Sequence, residues 1–178
     1  MLQALRYLIY YSFQMKQVSR SQAAPGNGQL RLDLFLPYRL SALAARTSRL
    51  LSSVYEERFG ITIPEWRVIA HVAAHDALSL REVSRLTHLD KATASRAVAS
   101  LEAAGLLAKR TNPADRRLVE LSLTRKGKRL FGKIEPLALG FETDLLQGLS
   151  AKEVTALRGL ILQLDRRLEE MAAEDKIR

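Results

Sequence analysis

The sequence predicts a mainly α fold with one small β-hairpin and long helices toward its two ends. Three observations predict it. Asp90 to Gly105, DKATASRAVASLEAAG, carries the signals of one complete helix. Asp90 is suited to cap the amides of a first turn, and Gly105 to the left-handed conformation that ends a helix. Leu106 to Thr111, the turn sequence Asn112-Pro113-Ala114-Asp115, and the alternation of Val119, Leu121 and Leu123 with polar residues read as a hairpin. Toward both ends, apolar residues recur at spacings of three and four.

In chain order, residues 1–31 are expected to form an extension, a flexible or helical arm. Arg6 before the apolar run Tyr7 to Phe13, and Ser21-Gln22-Ala23-Ala24, loosely resemble a secretory signal. The run is short, however, and Lys16 and Arg20 follow it, so an arm is preferred and Pro25-Gly26-Asn27-Gly28 reads as a linker. Residues 32–60 predict a long helix after Pro37, with Leu40, Leu43, Thr47, Leu50 and Val54 on one stripe, ended by Gly60. Thr62 and Glu65 form a capping box with Pro64 in the first turn. Trp66, Ile69, Ala70 and Ala73 are the expected inner face of that helix. Asp76-Ala77-Leu78 reads as a turn with a one-step strand beside the hairpin.

Ser79 and Glu82 form a second capping box, for a short helix burying Leu80, Val83 and Leu86. Thr87-His88-Leu89 connects it to the helix begun by Asp90. Ala94, Ala97, Val98 and Leu101 form a thin stripe that permits close packing and leaves one face free. That face carries Lys91, Thr93, Ser95 and Arg96, side chains able to bond phosphates and base edges in a major groove. Two short helices joined this way make a helix-turn-helix over residues 79–105. The hairpin over 106–123, with Arg110, Arg116 and Arg117 at or near its tip, then reads as a wing suited to a minor groove. Ser79 and His88 are further candidate DNA contacts. The plainer alternative is a helical bundle whose basic residues only meet solvent.

Charge favours the nucleic-acid reading. The chain carries a formal net charge of +9. Between Ser79 and Arg129 twelve Lys and Arg face five Asp and Glu, so most of the excess coincides with the motif. Cysteine is absent, which excludes disulfides, thiolate zinc sites and cysteine redox switches. No apolar run reaches the ~18–20 residues needed to cross a bilayer, and a cytoplasmic protein without membrane partner or cofactor is expected.

Residues 124–171 continue with a helix capped by Thr124. Arg125, Lys126, Lys128 and Arg129 crowd its start against the macrodipole, which suggests phosphates near the wing base. Leu130, Ile134, Leu137, Phe141 and Leu145 extend its stripe, and Pro136 is expected to kink or divide it. Ser150 and Glu153 form a third capping box. Val154, Leu157, Ile161, Leu164, Leu168 and Met171 then step by three and four like a coiled-coil seam, predicting an intersubunit helix. Residues 172–178 read as a tail. The fold class is therefore a winged helix-turn-helix domain plus terminal dimerisation helices, 32–60 and 124–171.

The sequence resembles the MarR family of winged helix-turn-helix transcription regulators. The signature D-x-R-x-x-x-x-x-L-T stands as Asp115, Arg117, Leu123 and Thr124. The pattern leading to L-E-x-x-G-L stands as Ser95, Leu101, Glu102, Gly105 and Leu106. The resemblance covers about Leu32 to Met171 and leaves the first thirty or so residues unexplained. It implies a homodimer on a pseudo-palindromic double-stranded DNA operator, a repressor released by a small aromatic or phenolic ligand. The implied pocket lies where the dimer arms meet the winged domain, with Trp66 as an aromatic wall and Arg67 as a carboxylate partner. Asp115 is expected to brace Arg117 or the turn.

Other readings remain open. A sequence-tolerant architectural DNA protein and a protein-binding winged helix share the motif. His71 and His75, four apart on one helix, have a spacing that chelates zinc and would serve a metal-responsive regulator, though no third ligand is evident nearby. Scattered Ser, His and Asp without a nucleophile pattern or phosphate loop argue against an enzyme.

Overall fold

The computed structural model describes residues 30–75, 77–111 and 119–175. By packing, the chain divides into Met1–Leu50 and Leu51–Arg178. In the first unit, Arg31 pairs with Asp33 at 2.6 Å in a turn leading into helix α1, Leu36–Phe59. The apolar side chains Leu36, Leu40, Leu43 and Leu50 are exposed there.

The second unit takes up the last turns of α1 and continues through α2 (Ile63–Ala74), β1 (Leu78–Ser79), α3 (Leu80–Thr87) and α4 (Lys91–Ala103). β2 (Leu107–Thr111), β3 (Val119–Leu123), α5 (Arg125–Leu145) and α6 (Ala151–Asp175) follow. The three strands form an antiparallel sheet in the order β1-β3-β2. Leu78 stands opposite Leu121, Leu107 opposite Leu123, and Arg110 opposite Glu120. The expected one-step strand beside the hairpin is therefore present.

The core collects Tyr55, Ile61, Val68, Ile69, Val72, Val83, Ala97, Val98, Leu101, Leu121 and Ile134. Desolvation in this core pushes the Tyr55 hydroxyl pKa up to about 12; Glu56 adds to the shift and Arg67 opposes it. The inner face of α2 differs from the expected one. Val68, Ile69 and Val72 are buried, whereas Trp66, Ala70 and Ala73 are only partly so. α2 packs against α3 and α4 on one side and α5 on another, so its most buried line lies between those neighbours. Trp66 fills the side toward Tyr55 and Phe131, with ring centroids 5.4 and 6.0 Å away.

Two other expectations are corrected, for Val119 and for the tail, and a third is narrowed: Pro136 does not divide α5. Pro136 and Gly132, whose carbonyl loses its partner, are both exposed, so water can take up that carbonyl. Val119 is exposed because it pairs with Thr111 at the outer end of the hairpin, beyond the core. α6 continues to Asp175, into the segment expected as a tail. Its start is the predicted capping box: the Ser150 amide and hydroxyl donate to the Glu153 carboxylate, both at 2.7 Å.

Candidate nucleic-acid interface

α4 is held at both ends by bonds its own sequence supplies. The Asp90 carboxylate accepts from the Thr93 amide at 2.9 Å, and hydrogen bonding by Thr93, its side chain first and its amide second, holds the Asp90 pKa below the usual carboxylate value. At the other end Gly105 takes φ 68°. Its amide donates to the Glu102 carbonyl, and the Leu106 amide donates to the Leu101 carbonyl. These two bonds form a Schellman motif. Ala94, Ala97, Val98 and Leu101 are all buried, as the stripe predicted. Lys91, Ser95 and Arg96 are exposed along the opposite face, while Thr93 is half-buried. The Arg96 guanidinium donates to the Thr93 hydroxyl at 3.0 Å, so the two predicted contacts act as a pair.

The turn before α4 is equally defined. His88 is exposed and has φ 53°, the only positive φ at a non-glycine among the described residues. It reverses the chain after α3. The Ser84 hydroxyl donates to the Leu89 carbonyl at 2.8 Å, and the Arg67 guanidinium reaches the Thr87 carbonyl at 3.5 Å. Arg67 thus braces the helix-turn-helix, a role the sequence did not reveal. Glu65, nearly buried, accepts from the Ser100 hydroxyl at 2.6 Å and from the Thr62 amide and hydroxyl at 2.8 and 2.7 Å. Burial works to raise the Glu65 pKa, but these three bonds outweigh it and the pKa is lowered.

Ser79 caps α3: its hydroxyl donates to Glu82 at 2.7 Å and accepts from the Glu82 amide at 3.3 Å. The Ser79 amide also donates to the Glu82 carboxylate, at 2.8 Å, and this bond first and the hydroxyl's second lower the Glu82 pKa. Beside the cap lies an open groove of about 1200 Å³ lined by Ser79, Arg81, Ser84, Arg85, Lys91 and Glu120, among others. Arg81 and Arg85, four apart on α3, bring two cations beside Lys91 that the motif reading had passed over. Their i, i+4 spacing was the available signal.

On the wing, Arg110 is exposed in β2 and lines a cavity of about 360 Å³ with His75, Lys128 and Phe131. Asp115, Arg116 and Arg117 lie outside the described residues. His71 and His75 stack at 6.4 Å, and Nδ1 of His75 lies 2.8 Å from the His71 carbonyl oxygen. Among the described residues no group of three or more His, Asp or Glu is placed to hold a metal ion. No described helix is long and apolar enough to cross a membrane.

The cations at the start of α5 receive a partial explanation. The Lys126 ammonium donates to the Ala104 carbonyl at 2.7 Å. It therefore meets the negative end of α4, which offsets its position at the positive end of α5. Lys126 thus has a partner within the fold as well as the phosphates its position suggests. Arg125, Lys128 and Arg129 remain exposed.

Comparison with known proteins agrees with this geometry. A sequence model of the MarR family matches residues 59–118. The chain is 34% identical over 85 residues to YwaE of Bacillus subtilis (strain 168), an uncharacterized HTH-type transcriptional regulator. That match covers 48% of this chain and half the length of the relative. A MarR/EmrR family transcriptional regulator from Acinetobacter sp. ADP1 superposes with a TM-score of 0.74 at 26% identity, over 79% of this chain and 99% of that one. BpsR of Bordetella bronchiseptica, whose DNA binding is regulated by 6-hydroxynicotinic acid, gives 0.68 at 25% identity over 78% and 98%. The apo form of MarR from E. coli shares the fold, with a TM-score of 0.62 at 22% identity over 72% and 96%. The helix-turn-helix, the three-stranded wing and these likenesses agree: over residues 59–118 the chain is similar to the MarR family, and its fold is that of MarR family transcriptional regulators.

Proposed function

We propose that the protein is a homodimeric, sequence-specific DNA-binding transcription regulator, a repressor whose DNA affinity falls when a small aromatic or phenolic acid binds. The observation that carries the DNA reading is the exposed edge Lys91, Ser95 and Arg96 on a helix fixed at both ends. A rigid helix with a polar N-terminal half is what major-groove readout requires. The groove at Arg81, Arg85 and Lys91 supplies cations for the flanking phosphates. In this reading Ser79 and His88 meet DNA beside that groove, Arg110, Arg116 and Arg117 reach the minor groove, and Asp115 braces Arg117 or the turn.

The test is binding to duplexes from the promoter flanking its own gene and to random duplexes, all at one salt concentration. Sequence-specific binding predicts a large affinity ratio, about 10³-fold or more at physiological salt. A ratio near one favours the architectural reading instead. Arg96→Ala should lose about 1–3 kcal/mol of discrimination if the guanidinium reads a base edge. If it meets only phosphate, all duplexes weaken together and the salt slope flattens.

Ligand response rests on the family and on BpsR, which responds to an aromatic acid. Trp66, packed between Tyr55 and Phe131, offers an aromatic surface for such a ligand, and Arg67 is the nearest cation in sequence. Titrating aromatic acids against Trp66 fluorescence, with and without operator DNA, tests the switch. Coupling requires the DNA to weaken the ligand by the factor by which the ligand weakens DNA. Equal ligand affinity in the two states would refute it.

A further inference from the structure

At the joint between α4 and α5 lies a cavity of about 400 Å³, within the range of small-molecule sites. Phe59, Ile61, Leu101, Leu106 and Leu130 give it apolar walls. Lys126, Arg129 and Lys133 line it from one helix, at spacings of three and four, so all three ammonium or guanidinium groups share a face. Glu65 is the one carboxylate in the lining, and its bonds to Thr62 and Ser100 already occupy it. Lys126 is committed to the Ala104 carbonyl. Arg129 and Lys133 have no ion-pair partner among the described residues. Like charges four apart on a helix repel, so Arg129 and Lys133 stand against each other with no carboxylate between them, and an anion relieves them.

We propose that this cavity binds a small doubly charged anion with a compact apolar body, a phosphate monoester or a dicarboxylate. Three cations against one carboxylate leave two positive charges, which sets the charge of the occupant. The apolar walls set its body and argue against a DNA backbone, which has no apolar group to place there. Ser100 and Ala104 lie one to two turns beyond Arg96, so the cavity is behind the base-reading end of α4 and leaves it free. The anion draws Lys126 from Ala104 and so acts on the joint itself. This site is separate from the Trp66 surface and stands whether or not the protein binds DNA.

The experiment is amide NMR on the full chain at about pH 7.5, where a phosphate monoester with a second pKa of about 6 is dianionic. Phenyl phosphate and benzylmalonate are the two dianions, and whichever binds more tightly identifies the source. Benzoate is the monoanion and benzyl alcohol the neutral control. Saturable shifts are expected at Ser100 to Leu106 and Lys126 to Lys133 with a dianion, weaker with benzoate and absent with benzyl alcohol. The double variant Arg129→Gln/Lys133→Gln, at two exposed positions of which only Arg129 was matched to DNA phosphates, should keep the fold and bind the dianion about tenfold more weakly or worse. Shifts that do not saturate, that cluster elsewhere, or that survive in the double variant overturn the proposal. So does movement of these amides by duplex DNA and not by either dianion.

Discussion

Gly127 sits in the first turn of α5 directly over the Leu106 carbonyl, and a Cβ there would collide with that oxygen. Around it the Thr124 amide donates to the same carbonyl at 3.0 Å, and the Thr124 hydroxyl to the Gly105 carbonyl at 2.7 Å. The Gly127 amide in turn donates to Thr124 Oγ at 3.0 Å. Backbone cannot give way as a side chain can, so Gly127→Ala forces α5 off the end of α4. We expect a loss of about 1–3 kcal/mol in denaturant unfolding. Stability within a few tenths of wild type would refute the close approach. Thr124→Ala, which removes the N-cap, should cost about 1 kcal/mol in the same measurement. Thr124 was legible as a cap because capping is a local code. Gly127 and Lys126 were not, because their partners lie about twenty residues earlier and only the fold brings them together. The one sequence trace of that contact was the oddity of a cation-rich helix start.

Among the elements, α4 was almost wholly legible, since its cap, stripe and stop are all set within its own sixteen-residue stretch. α2 was not, because a central helix has several neighbours and periodicity alone cannot say which line is innermost. The same helix carries a pH-dependent liability. The pKa of His71 is lowered, first by burial and then by the charges of His75, His88 and Arg67. These include all three histidines of the chain. A lowered folded-state value means the unfolded chain binds the proton more readily. Stability contributed by neutral His71 is thus present at neutral pH, starts to fall as pH drops below about 6.5, and is lost through the folded value. Unfolding free energies measured from about pH 8 to pH 5 should decline, and His71→Gln should flatten part of that decline. A decline equally steep in the variant would show that His71 does not carry it.

For the molecule as a whole, the apolar residues left exposed outweigh anything the individual elements explain. On α6, Leu157, Ile161, Leu164, Leu168 and Met171 are between 41% and 62% exposed, although they repeat at the spacing of a packed seam. α6 contributes nothing to the buried core. Each such side chain is worth roughly 1.5–3 kcal/mol when fully buried, so a seam of five left in water is a strong drive to associate. Most soluble oligomers are symmetric pairs of one chain, so the proposed dimer would cover this seam with a second copy. Leu164→Glu with Leu168→Glu should therefore give monomers in sedimentation equilibrium. Because the core lies outside α6, these monomers should keep a cooperative unfolding transition, which separates lost association from lost folding. They should also bind operator far more weakly, since two half-sites about 34 Å apart need two recognition helices held together. A folded dimer persisting after both substitutions would remove α6 from the interface. The exposed leucines of α1, Leu36, Leu40, Leu43 and Leu50, would then be the next surface to alter.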